Sequence, residues 1–416
     1  MARSAFTLAA AVTAALPGAE VTGARALSAD GDGRFDSAVA TLADGRELAI
    51  RVADADDTAR ELAAEALALR ALTAGARAIL PFRVPEYIGE ARLGDGRALV
   101  TALLDGFLVE AADIPAGRGA AVSMGRAIAA IHALPASIVR SAGLPARSAD
   151  DVRAEIRQLV DRAAATGRVP ARLTVRWREA TDDDELWRFE SAVTLGAQAT
   201  SFLFADDPTE GPQVTGVVGW HGLSVGDPAV DLAWLSSAPN AAGDVQAAYT
   251  AASDRAPDAA IGVRARLNAE LEFARWLVHG DAMRRPDIVD DAAALLESLA
   301  DGLRAGDLEV IAERGDGVDS ALAALDRVPE RTSADIDTSM QTDAYNPEEL
   351  WLETAEAEPV GDPHATADLS ELAESDLLPR DASATRASDA DEEGSEDEAQ
   401  RAARAALQRW TSSSSE

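Results

Sequence analysis

The first hundred residues carry short alternating runs, and helical periodicity takes over after them. Leu48, Ile50 and Val52 alternate with Glu47, Ala49 and Arg51, which is the period of a half-buried strand. Residues 21–28 and 37–42 read as strands flanking the turn-rich ADGDGRFD, and residues 98–104 as a further strand ended by Asp105 and Gly106. Between them, residues 58–72 change to the helical period: Leu62, Leu69 and Leu72 fall on one stripe, and Glu65 falls on it too. A carboxylate on an apolar stripe requires a charge partner. The alternation puts Arg51 and Ala49 on one face of their strand.

Beyond residue 104 the pattern predicts helices at 119–134, 149–165 and 184–189, then two strands at 201–205 and 213–220 joined by the turn formers DDPTEGP. Asp227 followed by Pro228 is a strong helix start, with Asp as cap and Pro in the first turn. Further helices are expected at 244–252, 263–280 and 288–305. An opening helix stopped by Pro17 and Gly18 is expected before the first strand. No strongly apolar run is long enough to span a membrane, and a cytoplasmic location is expected.

Composition changes the picture at the C-terminus. Residues 329–416 carry 23 Asp or Glu against 6 Arg, a net of −17 out of −34 for the whole chain. Such a segment is expected to be largely disordered, with one helical stretch at 396–410, and to reach protein partners. The net charge of −34 argues against nucleic acid and anionic membranes as partners. With no cysteine and four scattered histidines, disulfides and zinc chemistry are excluded as working hypotheses.

A small sheet with one helix, a short hinge at TALLDG (101–106), and a helical region holding a strand-loop-strand insert follow one another in this chain. In that order, and in the motifs AIAAIHALP and GDPAVDLAWL, the sequence resembles the aminoglycoside and macrolide phosphotransferase family, which shares the protein-kinase-like fold. The resemblance covers roughly residues 20–310 and implies an α+β, bilobal architecture. Its small antiparallel-sheet lobe would span 1–101, its larger, mainly helical lobe 102–328, and the acidic tail 329–416.

The resemblance also assigns roles. Arg51 matches the basic residue that holds nucleotide phosphates, and Glu65 its helix partner. Gly31 and Gly33 lie where the family folds a turn over ATP. His132 matches a histidine the family carries at a helix end, where its neighbours Ile128, Ile131 and Leu134 favour a structural role. In the catalytic segment 192–235, working members read H-G-D-x-x-x-x-N and then an Asp such as that of I-D-W. This chain has Leu195, Gly196 and Ala197, then Phe202, and then Gly219 before a retained Trp220. The base and both metal-ligand positions are therefore replaced, while Asp227 and Asp231, which support the large lobe and the loop, remain.

The expectation is a pseudokinase: a binding or regulatory protein with a nucleotide or small molecule as candidate ligand, no certain cofactor, ATP possible, and magnesium disfavoured. The alternative is an active ATP-dependent phosphotransferase of a hydroxylated small molecule. Two substitutes for the lost groups carry little weight. His279, Gly280 and Asp281 spell H-G-D but follow the GDPAVDLA segment, with Pro286 in the Asn position. His221 with Asp206 or Asp207 has the look of solvated turn residues.

Overall fold

The computed structural model describes residues 3–27 and 35–303, apart from 54, 95 and 257. The chain divides into two units, Met1–Glu330 and Arg331–Glu416, and the described residues belong to the first. Gly31, Gly33, the tail at 329–416 and its expected helix at 396–410 lie outside the described residues.

Helix α1 (Ala5–Ala15) starts at Ser4, whose hydroxyl accepts from the Thr7 amide. It lies on a five-stranded antiparallel sheet of β1 (Val21–Ala26), β2 (Asp36–Leu42), β3 (Glu47–Ala53), β4 (Tyr87–Leu93) and β5 (Gly96–Ala102), in the order β1-β2-β3-β5-β4. Leu8, Ala11 and Val12 of α1 pack on Ala40, Leu48, Ile50 and Val100. The opposite face meets α2 (Asp56–Ala71), where Leu62 and Ala66 pack on Ala53 and Leu99. Strand periodicity thus sends Ile50 to α1 and Arg51 to the α2 side.

After the short α3 (Ala74–Ala78) and the sheet, the chain enters a helical part. Helix α4 (Ala120–His132), α5 (Ala136–Ser141) and α8 (Ala242–Ala252) share a core with the β7–β8 hairpin (Phe202–Asp207, Gly211–Val217) and a ribbon of β6 (Ala192–Thr194) and β9 (Ser224–Gly226). A second core joins α6 (Ala149–Ala165), α7 (Ala171–Asp182), α9 (Ile261–Ala282) and α10 (Pro286–Gly302) around Trp177, Leu267, Leu271 and Leu296. Among the described residues no helix is long and apolar enough to cross a membrane.

Several expectations are corrected. Residues 184–189 form no helix, with turns at 184–187: the Asp183 carboxylate accepts from the Glu185 amide, which closes a turn, and Leu186 and Trp187 drop into the core from it. The helix of this region is α7, one segment earlier, with Leu173, Trp177 and Ala180 on its buried face. Strand β4, between Pro85 and Gly94, lies in a stretch where no element is expected from the pattern. The strand expected at 213–220 stops at Val217, because Gly219 is left-handed (φ 78°, ψ 38°) and Trp220–Gly222 is a short 3₁₀ helix. The helix after Asp227 is a 3₁₀ helix over Pro228–Ser237.

Candidate active-site region

The replaced segment is held from beneath by one carboxylate. Asp231 is fully buried on the Pro228–Ser237 helix. Its Oδ1 accepts from the Ala197 amide at 2.6 Å, and its Oδ2 accepts from the Leu195 amide at 3.0 Å and faces His132 Nε2 at 3.0 Å. With an ionised carboxylate, which only accepts, Nε2 donates to Asp231, and a neutral ring then accepts the Tyr249 hydroxyl proton at Nδ1, 3.0 Å away. One chain of hydrogen bonds therefore runs from α8 through α4 to the loop at 195–197. His132, given a structural role on its apolar neighbours, has a polar partner on each ring nitrogen. Its i+4 periodicity on α4 was legible; the partners, 99 and 117 residues away, were not.

Burial pushes the Tyr249 hydroxyl up to about 12. An unfolded tyrosine ionises near pH 10, so the fold retains a proton that the unfolded chain gives up. This contribution is whole below about pH 10 and is lost as pH rises toward 12. A tyrosinate absorbance titration is expected to show a component at about pH 12 that Tyr249→Phe removes; the same component appearing near pH 10 contradicts the buried geometry.

Asp227 supports the neighbouring corner. Its Oδ1 accepts from the Ala229 amide at 2.9 Å as a helix cap, and Arg264 donates to both oxygens, Nε at 2.9 Å and Nη2 at 3.1 Å. The Arg264 guanidinium also stacks on Phe189, 4.3 Å from the ring centre. This arginine was not singled out in the sequence, where nothing marks one arginine of α9 among several.

Ala197, Phe202 and Gly219, the three positions that the resemblance marks as replaced, sit around this frame. Ala197 is buried, and its amide is taken by Asp231. Phe202 is fully buried at the start of β7, with its ring 6.4 Å from that of Trp234. Gly219 opens the turn at Trp220, and a Cβ there would lie 3.7 Å from Ser201 Oγ. That turn packs against α2, the helix that carries Glu65. Magnesium, which the fold family implies, does not fit these residues: a phenyl ring in the core and a glycine offer no carboxylate or amide side-chain oxygen. Among the described residues, no group of three or more His, Asp or Glu side chains could hold a metal ion.

Arg51 and Glu65 meet as an ion pair, Nη2 to Oε2 at 2.5 Å, with the Glu65 side chain 1% and that of Arg51 19% exposed. The expected sheet-to-helix contact is thus present, and Phe35 lies beside Arg51, 5.8 Å from ring centre to guanidinium. His279 and Asp281 lie in the last turn of α9, where a Cβ on Gly280 would run into Ile288. On the other side of the loop, Gly196 and Gln198 border a cavity of about 510 Å³, which Trp234, Arg266, Phe273 and Leu299 also line.

No curated protein matches the chain. Among solved structures, the fold is similar to macrolide 2'-phosphotransferase MphH from Brachybacterium faecium, with TM-score 0.57 and 25% identity over 69% of this chain and 97% of that one. It is also similar to a macrolide 2'-phosphotransferase type I, with TM-score 0.54 and 24% identity over 71% and 97% of the two chains. The GDP and kanamycin complex of APH(2")-IIia shares the fold at TM-score 0.55 and 16% identity, covering 71% and 98%. The family model for the phosphotransferase enzyme family, APH, matches residues 27–261, more than half of the chain. With its antiparallel-sheet lobe, its helical part and its kinase-like neighbours, this chain belongs to the APH phosphotransferase family.

Proposed function

We propose that this protein is a pseudokinase of its family: a binding or regulatory protein that keeps the fold and does not transfer phosphate. The observation that carries the reading is the joint replacement at Ala197, Phe202 and Gly219, set against the intact support at Asp227 and Asp231. Phosphoryl transfer draws its rate from positioning and from charge stabilisation by metal and protein groups. A methyl group, a buried phenyl ring and a hydrogen atom supply neither a proton acceptor nor a metal ligand.

Arg51 and Glu65 support retained nucleotide binding, with Arg51 as the phosphate contact and no magnesium clamp. The acidic segment 329–416 supports a protein partner with a basic surface.

The test is incubation of the purified full chain with magnesium and ATP. Neither hydrolysis nor transfer above the buffer rate is expected. ATP is expected to raise the melting temperature equally with and without magnesium, and Arg51→Ala to abolish that rise. At about a hundredfold excess over Kd, ligand adds about 2.7 kcal/mol, so the shift is measurable. Turnover that disappears in Arg51→Ala overturns the reading in favour of an active phosphotransferase of a hydroxylated small molecule, which is the activity named for the similar macrolide enzymes. No thermal shift under either condition removes the nucleotide from the reading.

A further inference from the structure

The turn that follows β8 is fixed on both sides and leaves one side chain outside. The Val218 amide donates to the Ser201 carbonyl at 2.9 Å, which brings the start of β7 against the end of β8, and Gly219 then turns the chain in its left-handed conformation. Trp220 anchors the turn, fully buried with Nε1 donating to the Val217 carbonyl at 2.8 Å. Gly222 closes the far side, because a Cβ there would lie 2.1 Å from the Leu195 carbonyl oxygen. His221, between the two anchors, is exposed.

Two hydrogen-bonding side chains flank the Gly219 position. A Cβ at 219 would have Ser201 Oγ at 3.7 Å and His221 Cε1 at 3.9 Å as its neighbours among the described residues. Ser201 Oγ accepts from the Gln198 amide at 3.0 Å, and no described residue accepts its own proton. Neither ring nitrogen of His221 has a partner among the described residues. A hydroxyl donor and an imidazole donor therefore meet beside one point, with nothing described to receive them.

Carboxylates stand away from that point. Asp206 and Asp207 pair with Pro212 and Gly211 at the opposite end of the β7–β8 hairpin, whereas Ser201 and His221 adjoin the end where Phe202 pairs with Val217. From Phe202 to Asp206 is roughly 13 Å along the strand at ~3.3 Å per residue, so His221 does not join these aspartates around a metal. Glu65, on the helix against which the turn packs, is matched by Arg51. Unmatched donors without an unmatched carboxylate suit an anion and not a cation.

We propose that this turn holds a phosphate group directly, with the His221 imidazole and the Ser201 hydroxyl donating to its oxygens, at the place where a carboxylate on residue 219 would instead hold a cation. The proposal deepens the nucleotide-binding role given above and rests on it: it names the groups that replace the metal. An imidazole keeps at least one N–H in either protonation state, so the contact does not require a charged ring. The whole chain, at −34, repels anions, which makes affinity for a phosphate depend on these local donors.

The phosphate is supplied either by a nucleotide or by a free polyphosphate. Calorimetric titration of the full-length protein with ATP and with inorganic tripolyphosphate, in EDTA, distinguishes them: ATP more than about tenfold tighter makes the occupant a nucleotide, and equal affinities make it a phosphate chain alone, either of which agrees with a direct phosphate contact. His221→Leu, at an exposed position, is expected to weaken the tighter ligand about tenfold, and His221→Asn, which keeps an N–H donor, to weaken it less than about threefold. Gly219→Asp is expected to weaken it at least about tenfold in EDTA, because a carboxylate then faces the phosphate. Affinity unaltered in His221→Leu or in Gly219→Asp, wild-type binding that requires magnesium, or no binding of either compound overturns the proposal. The two readings fail separately. ATP binding lost in Arg51→Ala and unaltered in His221→Leu sinks the phosphate contact and leaves the nucleotide role; tripolyphosphate held through His221 by a protein that does not bind ATP sinks the nucleotide role and leaves the contact.

Discussion

Asp231→Ala is expected to destabilise the protein by about 3–5 kcal/mol in urea unfolding, among the largest effects of any single substitution here. The carboxylate has no exposure and serves three donors: the amides of Leu195 and Ala197 and the Nε2–H of His132. Removing it strands all three without water, and each unpaired buried donor costs about 1–3 kcal/mol. Asp231→Asn is expected to cost roughly half as much. Its oxygen still accepts from the loop amides, and its amide donates to His132 once the ring changes tautomer and gives its Nδ1–H to the Tyr249 oxygen. Equal losses for Ala and Asn would mean that the charge matters and the hydrogen-bond geometry does not. A loss under about 1 kcal/mol for Ala would contradict the buried network altogether.

Phe202→Asn, which installs the residue type that the family resemblance implies at this position, is expected to cost about 3–5 kcal/mol. Phe202 is fully buried beside Trp234 and shares its core with Ala197, Ala199 and Val217. Asparagine would leave a cavity there and bury an amide among apolar neighbours. Gly219→Asp is expected to be mild by comparison. Asp tolerates the left-handed conformation better than most side chains, and its Cβ would be at ordinary contact distance, 3.7 Å from Ser201 Oγ and 3.9 Å from His221 Cε1. The replaced positions therefore differ in kind: Phe202 is part of what holds the lobe together, whereas Gly219 is a turn residue. Unfolding of the two single variants in urea checks this, and equal losses would deny it.

Much of the small lobe was legible because its signals are local. The alternation through Leu48, Ile50 and Val52 assigned faces correctly, and the charge on the stripe of α2 called for the partner it has in Arg51. Strand β4 escaped because Pro85 and Gly94 bracket it and Gly89 interrupts its pattern, so punctuation outweighed periodicity. Helix α7 escaped for a different reason. Arg176 and Glu179 beside Trp177 look like a solvated surface, yet Arg176 is buried because Glu270 neutralises it from a helix 94 residues on. In the site, the identities of Ala197, Phe202 and Gly219 were readable, and what surrounds them was not. The arginine behind Asp227 and the tyrosine behind His132 come from α9 and α8, which reach these partners only after folding.

Gly125 sets a rule for how this lobe can move. A Cβ at that position would lie 2.4 Å from the Val245 carbonyl oxygen and 2.7 Å from the Tyr249 amide nitrogen, so α4 and α8 touch backbone to backbone. Helices in such contact cannot roll or slide past one another without collision, and the pair behaves as one rigid strut that carries the His132–Tyr249 link within it. Relative movement in the helical part is therefore not expected between α4 and α8.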